Sequence, residues 1–299
     1  MNKTSIILRK IACVILLLAL GISSLSLVGC GGEDNVPDSK VLLISIDGMR
    51  SDAAATSSYG RFLTESTLYS LDMQTVFPSV TLPCHMSMFH SVTPEAHGVT
   101  DNVYTLSEYL GLGITEALSA AGKTSAVFYN WEPMGNIVTE GSCVKKEYIG
   151  GEIYGWEEAN EMLASACIEY LSASADSTPD FTYLYLGFLD EWGHRYGWLS
   201  DEYNYALERS FLLINQVMSV LPEGYTVIIT ADHGGHGNGH GTVLAEDMTI
   251  PVFILGDGIS PAKLPSGKSI LDIAPTVLDI LGVSAPDYWQ GKSLIPKVK

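Results

Sequence analysis

Short apolar runs alternate along the chain with longer stretches in which apolar positions recur every three or four residues. The short runs, at about 41–46, 125–129, 181–188, 225–231 and 251–255, predict buried strands. The longer stretches, near 105–121, 156–173, 201–219 and 270–281, predict amphipathic helices. In 201–219, Tyr203, Leu207, Phe211, Ile214 and Val217, followed by Val220, mark a core-facing stripe; Pro222 and Gly224 then close the helix before the strand YTVIITA. Strands that alternate with helices in this way predict an α/β fold. Residues 47–104 read as loop-rich around FPSVTLPCHMSMFHSVTPEAHGVTDN, with a helix that begins near Thr81 and runs through Met86 and Met88. There is no internal repeat.

The first 29 residues do not fit this alternation. Lys3, Arg9 and Lys10 precede an apolar run from Ile11 to Leu20, which reads as an export signal, and LVGC at 27–30 resembles a bacterial lipobox that would place a diacylated Cys30 at the new N-terminus. Residues 30–40 are then a short polar tether. Residues 41–299 suffice for a single catalytic domain with a large core. The expected location is extracytoplasmic, on a bacterial membrane, with contact made through the N-terminal lipid.

Charge narrows the partners. Beyond residue 29 the chain has 13 basic and 34 acidic residues, a formal −21, which argues against nucleic-acid binding through a basic patch. A phosphate ester is still an acceptable ligand where divalent ions dominate the local field. Outside the signal and Cys30, the cysteines are Cys84, Cys143 and Cys167. They allow at most one internal disulfide, and the lack of a CxxC pair argues against a thiolate zinc site.

The chemistry concentrates at strand ends. ITADHGGHGNGHGT, residues 229–242, sets Asp232, His233, His236 and His240 in a glycine-rich turn after a strand; Asp47 follows VLLISI, and Asp190 with His194 follows FTYLYLGFL. In an open parallel sheet these ends share one edge, so the acids and imidazoles would converge, and Asp/His donor sets suit zinc, with manganese or iron able to substitute. Thr81, bracketed by Pro78 and Pro83 at a helix start, is either a nucleophile or a helix cap.

LLISIDGMRSD, FPSVTLPCH with HGVTDN, LDEWGH and TADHGG occur in the order found in the alkaline phosphatase superfamily, and the threonine resembles its nucleotide pyrophosphatase/phosphodiesterase branch. SILDIAPTVLDILGV followed by GKSL resembles its closing helix, so the resemblance covers nearly all of the exported chain. It implies an α/β/α sandwich with a mostly parallel sheet, and two divalent metals, zinc by preference. One metal would be held by Asp47, Asp232 and His233 with Thr81 against it as nucleophile, the other by Asp190, His194 and His240. Asn102 would donate to a phosphoryl oxygen. The implied reaction is phosphodiester or pyrophosphate hydrolysis through a phosphothreonine; phosphomonoester or phosphonate hydrolysis is the alternative on the same scaffold, and a metal-binding lipoprotein without activity the alternative outside enzymes.

Two features depart from the branch. Leu82 stands where a base-stacking phenylalanine is common, while Tyr185 matches the opposing tyrosine, or is a core strand residue. His240 follows His233 by only seven residues, which leaves no room for a large cap and makes His236 a competitor for the last ligand position. His85, His90 and His97 are expected to serve structurally, with His85 near Thr81.

Overall fold

The computed structural model describes residues 39–103, 111–172 and 178–296. The signal segment, Cys30, nearly all of the tether and residues 105–110 of the helix expected at 105–121 lie outside the described residues.

Eight strands form one sheet: β1 (Lys40–Ile46), β2 (Leu68–Gln74), β3 (Ser125–Tyr129), β4 (Lys145–Tyr148), β5 (Phe181–Leu186), β6 (Tyr225–Thr230), β7 (Thr249–Leu255) and β8 (Ala262–Lys263). Their order is β4-β3-β5-β1-β6-β7-β2-β8. The five strands from β4 to β6 run parallel, whereas β7 is antiparallel to both β6 and β2. This mixed, mostly parallel sheet within helical layers is the expected α/β sandwich.

Strands β1, β5 and β6 are central, and all but the first residue of β1 are buried. A strand covered on both faces has no solvated side, hence its continuous apolar run. Alternate residues of β5 still divide between the layers. Phe181 and Tyr183 meet Phe89 edge-on, and Tyr185 meets His85, all beneath the helix Thr81–His90. The helix Trp156–Leu171 packs against Asp201–Met218, whose buried stripe includes Tyr203, Leu207, Phe211, Ile214 and Val217 as the pattern predicts.

Several boundaries differ from the pattern. β5 ends at Leu186 and a helix begins at Phe188, because the apolar run that reads as one strand spans a turn at Gly187. Residues 47–104 hold more structure than expected: helices Ser51–Thr56 and Ser58–Ser66, then β2, whose mixed sequence LYSLDMQ does not stand out as an apolar run. Cys84, Cys143 and Cys167 are free thiols. Among the described residues, no helix is long and apolar enough to cross a membrane.

Candidate metal centre

Three parallel strands deliver the acids. Asp47 directly follows β1, and Asp232 with His233 lies two and three residues past β6. Asp190 was expected at the end of a strand, but sits in the first turn of helix Phe188–Tyr196, with His194 one turn later on the same face. Their carboxylate and imidazole approach to 3.4 Å. His240 reaches the same place from the glycine-rich turn, its Nε2 3.1 Å from His194 Nε2 and its ring stacked on His233 at 3.8 Å.

Ligand atoms form two groups, each within 4.8 Å: Asp190, His194 and His240, and Asp47, Asp190 and His233. The first is the set that the resemblance implies. The second has Asp190 in the place expected of Asp232, whose Oδ2 is nevertheless 3.3 Å from His233 Nε2. His236 turns away, with Nδ1 2.7 Å from the buried carboxylate of Asp247.

The polar atoms fit cations. Asp47 Oδ1, Asp190 Oδ1 and Asp232 Oδ2 are buried without a hydrogen-bond partner, a costly state for carboxylates unless a cation completes them. Burial, then Asp232 and Asp190, push the Asp47 carboxyl well above the ordinary range; burial and Asp190 push Asp232 up to about 8. For Asp190, burial acts upward but the His194 hydrogen bond and the nearby imidazoles bring it below the ordinary value. His194 in turn is pushed up to about 9, chiefly by its hydrogen bond with Asp190.

Each histidine is also fixed in tautomer. Nδ1 of His233, His194 and His240 lies 2.8, 3.0 and 2.8 Å from the carbonyls of Gly234, Asn238 and Ser79. A carbonyl can only accept, so each Nδ1 carries a proton and each Nε2 is the atom turned to the cluster, where a cation would take its lone pair in place of any proton.

Thr81 is the first residue of its helix, while the cap position belongs to Val80, so the capping role falls away. Its hydroxyl lies 3.3 Å from His233 Nε2. One turn later, His85 bonds the Thr81 carbonyl through Nδ1 at 2.8 Å and Ser45 through Nε2 at 3.1 Å. Burial holds His85 neutral, with its pKa lowered to about 4. Gly48 closes the arrangement. Its backbone has φ +68°, its N–H donates to Asp232 at 3.2 Å, and a Cβ there would lie 2.9 Å from Asp190 Oδ1.

The expected base slot is not formed by Leu82 and Tyr185. Leu82 is fully buried in the core, and Tyr185, 1% exposed, gives its hydroxyl to Asp47 Oδ2, so neither presents a face for stacking. A strand residue alternates toward one layer, and for Tyr185 that layer is the helix beneath the site. Asn102 accepts from the Leu82 N–H at 2.9 Å and lies on the rim. Arg50 is engaged by Asp52 and the Gly235 carbonyl, and Arg195 lies 5.8 Å from the ring centres of Trp192 and Tyr196.

A cavity of about 290 Å³ opens onto these ligands, and Trp131, Glu152, Trp156 and Glu191 line it with them. The sequence offers a signal for them that strand-end acids and imidazoles overshadow: Trp131, Glu152 and Trp156 also follow the C-terminal ends of parallel strands.

Residues 41–247 match the model of the family described as type I phosphodiesterase / nucleotide pyrophosphatase. Human ectonucleotide pyrophosphatase/phosphodiesterase family member 1 is 28% identical over 218 residues, which are 64% of this chain and 23% of that protein. The chain spans about a quarter of the length of the curated relatives it matches first. Among solved structures, murine ectonucleotide pyrophosphatase/phosphodiesterase 5, as an inactive threonine-to-alanine variant in complex with AMP, superposes with TM-score 0.69 at 14% identity, over 85% of this chain and 97% of that one. The lipoteichoic acid synthase LtaP of Listeria monocytogenes gives 0.66 at 16% identity, over 86% and 75%. Fold likeness therefore extends beyond one chemistry, and it is the matched family model over most of the described chain that identifies this protein as a member of the type I phosphodiesterase/nucleotide pyrophosphatase family.

Proposed function

We propose that the protein is a two-zinc hydrolase of phosphodiester or pyrophosphate bonds, acting through a covalent phosphothreonine on Thr81. The observation that carries this is the meeting of three unsatisfied buried carboxylate oxygens and three histidine Nε2 atoms beside the Thr81 hydroxyl. One ion would be held by Asp190, His194 and His240, the other by Asp47, Asp232 and His233 beside Thr81, with Asp190 near both. When bound, the ions would supply Lewis-acid charge that lowers the hydroxyl pKa and offsets the anion developing on the phosphoryl group.

The chain supplies the rest. Thr81 Oγ1 loses its proton and bonds to phosphorus as the bond to the leaving oxygen breaks and that oxygen takes a proton. Water then cleaves the phosphothreonine and restores the hydroxyl. With Asn102 Oδ1 engaged by the Leu82 N–H, the Asn102 amide N–H is left to donate to a phosphoryl oxygen. His85 fixes the first turn of the helix through the Thr81 carbonyl, and so the position of the nucleophile. The inactive threonine variant of the murine structure supports a threonine nucleophile. A monoester carries more charge than a diester, and the described cavity wall has no Lys or Arg to meet it, which favours the diester.

The test is hydrolysis of bis-p-nitrophenyl phosphate and thymidine 5′-p-nitrophenyl phosphate against p-nitrophenyl phosphate, with zinc supplied. Faster diester turnover is expected, and faster monoester turnover would overturn the diester reading. Thr81→Ala should lower turnover by at least about 10³-fold with metal content unchanged; normal activity in that variant would remove Thr81 as nucleophile. We also propose anchoring through a lipid on Cys30. Metabolic labelling with an alkyne fatty acid should mark the wild type and not Cys30→Ala, and an unlabelled wild type would refute the anchor.

A further inference from the structure

Trp198 is buried beside the candidate metal centre, and no step of the proposed hydrolysis uses it. It lies two residues past the helix Phe188–Tyr196, and its ring meets two of the ligands edge-on, His194 at 5.1 Å and His240 at 5.9 Å between ring centres. Its backbone N–H donates to the Gly237 carbonyl at 2.8 Å, inside the glycine-rich turn. Its indole N–H donates to the Gly48 carbonyl at 3.0 Å, next to Asp47. One residue thus touches all three segments that bring the ligands together.

The surroundings are shaped to admit this ring. A Cβ on Gly193 would lie 2.7 Å from the indole and one on Gly235 2.2 Å from it, so the helix and the turn each leave out a side chain where the ring passes. The backbone gives an independent sign. Gly197 and Leu199, on either side of Trp198, have φ +98° and +69°. That region is open to glycine and unfavourable for leucine, and Leu199 is itself 43% exposed, so burial of its own side chain does not account for the conformation. Such a backbone persists where its surroundings over-determine it, and what it fixes here is the entry of the indole between Gly193 and Gly235.

The ligands differ in their need for support. His233 and Asp232 are fully buried just past β6. The side chain of His194, in contrast, is 41% exposed, and His240 comes from a turn in which five of the eight residues 234–241 are glycine. The Gly48 carbonyl also accepts from the Tyr203 hydroxyl at 2.9 Å, so the Asp47 turn has a second tie that does not involve the indole. We propose that Trp198 is a positioning residue for one ion, the one assigned to Asp190, His194 and His240, and that its ring sets the spacing of the two imidazoles before the ion arrives. The inference rests on the two-metal reading and adds to it a support outside the ligand set. Ligands ordered in advance lose less freedom on binding, and support of this kind is worth about 10- to 100-fold in metal affinity.

The experiment is zinc competition with a chromophoric chelator in the wild type, Trp198→Leu and Trp198→Phe, with His240→Ala to identify which of the two binding steps belongs to this ion. Trp198→Leu should weaken that step by about 10- to 100-fold and leave the other within about threefold, while Trp198→Phe, which keeps an aromatic edge, should recover part of the loss. A ring that only fills space would lower Tm and leave both steps unchanged or weaken them equally, and either result overturns the proposal. Should Trp198→Leu fail to fold, Trp198→Phe decides alone, with a loss of at least about threefold confined to the one step. Fluorine NMR of fluorotryptophan-labelled protein tests the contact itself. The resonance missing from Trp198→Phe should move as that step fills in the wild type, and a resonance that stays in place overturns the assignment. Wild type that binds fewer than two ions would instead overturn the two-metal reading, and the assignment with it.

Discussion

Removing the metals should convert the candidate centre into a source of instability whose pH dependence has a definite sign. In metal-free protein Asp232, raised to about 8, keeps a proton that the unfolded chain releases near 3.8. The folded state then binds more protons, so stability falls as pH rises through this interval. Asp47, raised by burial and by Asp232 and Asp190, acts in the same direction. His194, raised to about 9 by Asp190, contributes stability that is complete below its unfolded value of 6.5 and is lost as pH rises toward 9; with 41% of its side chain exposed, that contribution is discounted for solvent screening. His85 and His97, both lowered to about 4, and His233 and His90, also lowered, all chiefly by burial, oppose the acids below 6.5, and their effect fades above it as the unfolded imidazoles lose their protons. Between pH 6.5 and 8 the cluster therefore acts with one sign. Retaining one proton over that interval costs about 2 kcal/mol, on the order of 4–8 °C in Tm for a domain of this size. Thermal unfolding followed by circular dichroism, in chelator and with saturating zinc, would measure it. The metal-free Tm should fall across the interval while the zinc-bound Tm stays level or rises. A metal-free Tm that is flat or rising between pH 6.5 and 8 would refute the idea that these carboxylates face one another without compensation.

Four substitutions probe the supports of the site. Tyr185→Phe removes the hydroxyl that meets Asp47 and should weaken metal binding by about 10- to 100-fold in chelator competition without unfolding the protein; unchanged affinity would mean that the bond does not orient Asp47. His240→Ala should lose about one metal per chain by elemental analysis, whereas His236→Ala should keep both and instead lose about 1–3 kcal/mol of stability, because Asp247 is buried; the reverse pattern would exchange their roles. Gly48→Ala should displace Asp190 and cost about 1–3 kcal/mol, since the new Cβ meets Oδ1 at 2.9 Å on a backbone at φ +68°; wild-type stability and metal content there would show that the turn yields freely.

How far the sequence discloses this site depends on what each residue costs where it lies. A carboxylate buried after an apolar strand is expensive, so Asp47, Asp190 and Asp232 can be read from strand ends alone, and the imidazoles around them from the glycine turn. The central strands are legible for a related reason, since only burial on both faces sustains a run such as VLLISI. Strand β2, between β7 and the short edge strand β8, escapes because its mixture of Leu, Ser and Asp resembles a surface segment. Tyr185 is ambiguous from sequence because period-two alternation fixes which layer a residue faces and not which atom its hydroxyl meets, 138 positions away. The cavity wall is harder still. Trp131, Glu152, Trp156 and Glu191 are each unremarkable on a surface, and their chemistry arises only when strand order brings three separate connections together. Residues that are costly to bury can thus be read locally, whereas a cavity lined by residues that are cheap to expose requires the topology. It follows that the hydrolytic class of this chain is better constrained by its motifs than its substrate is.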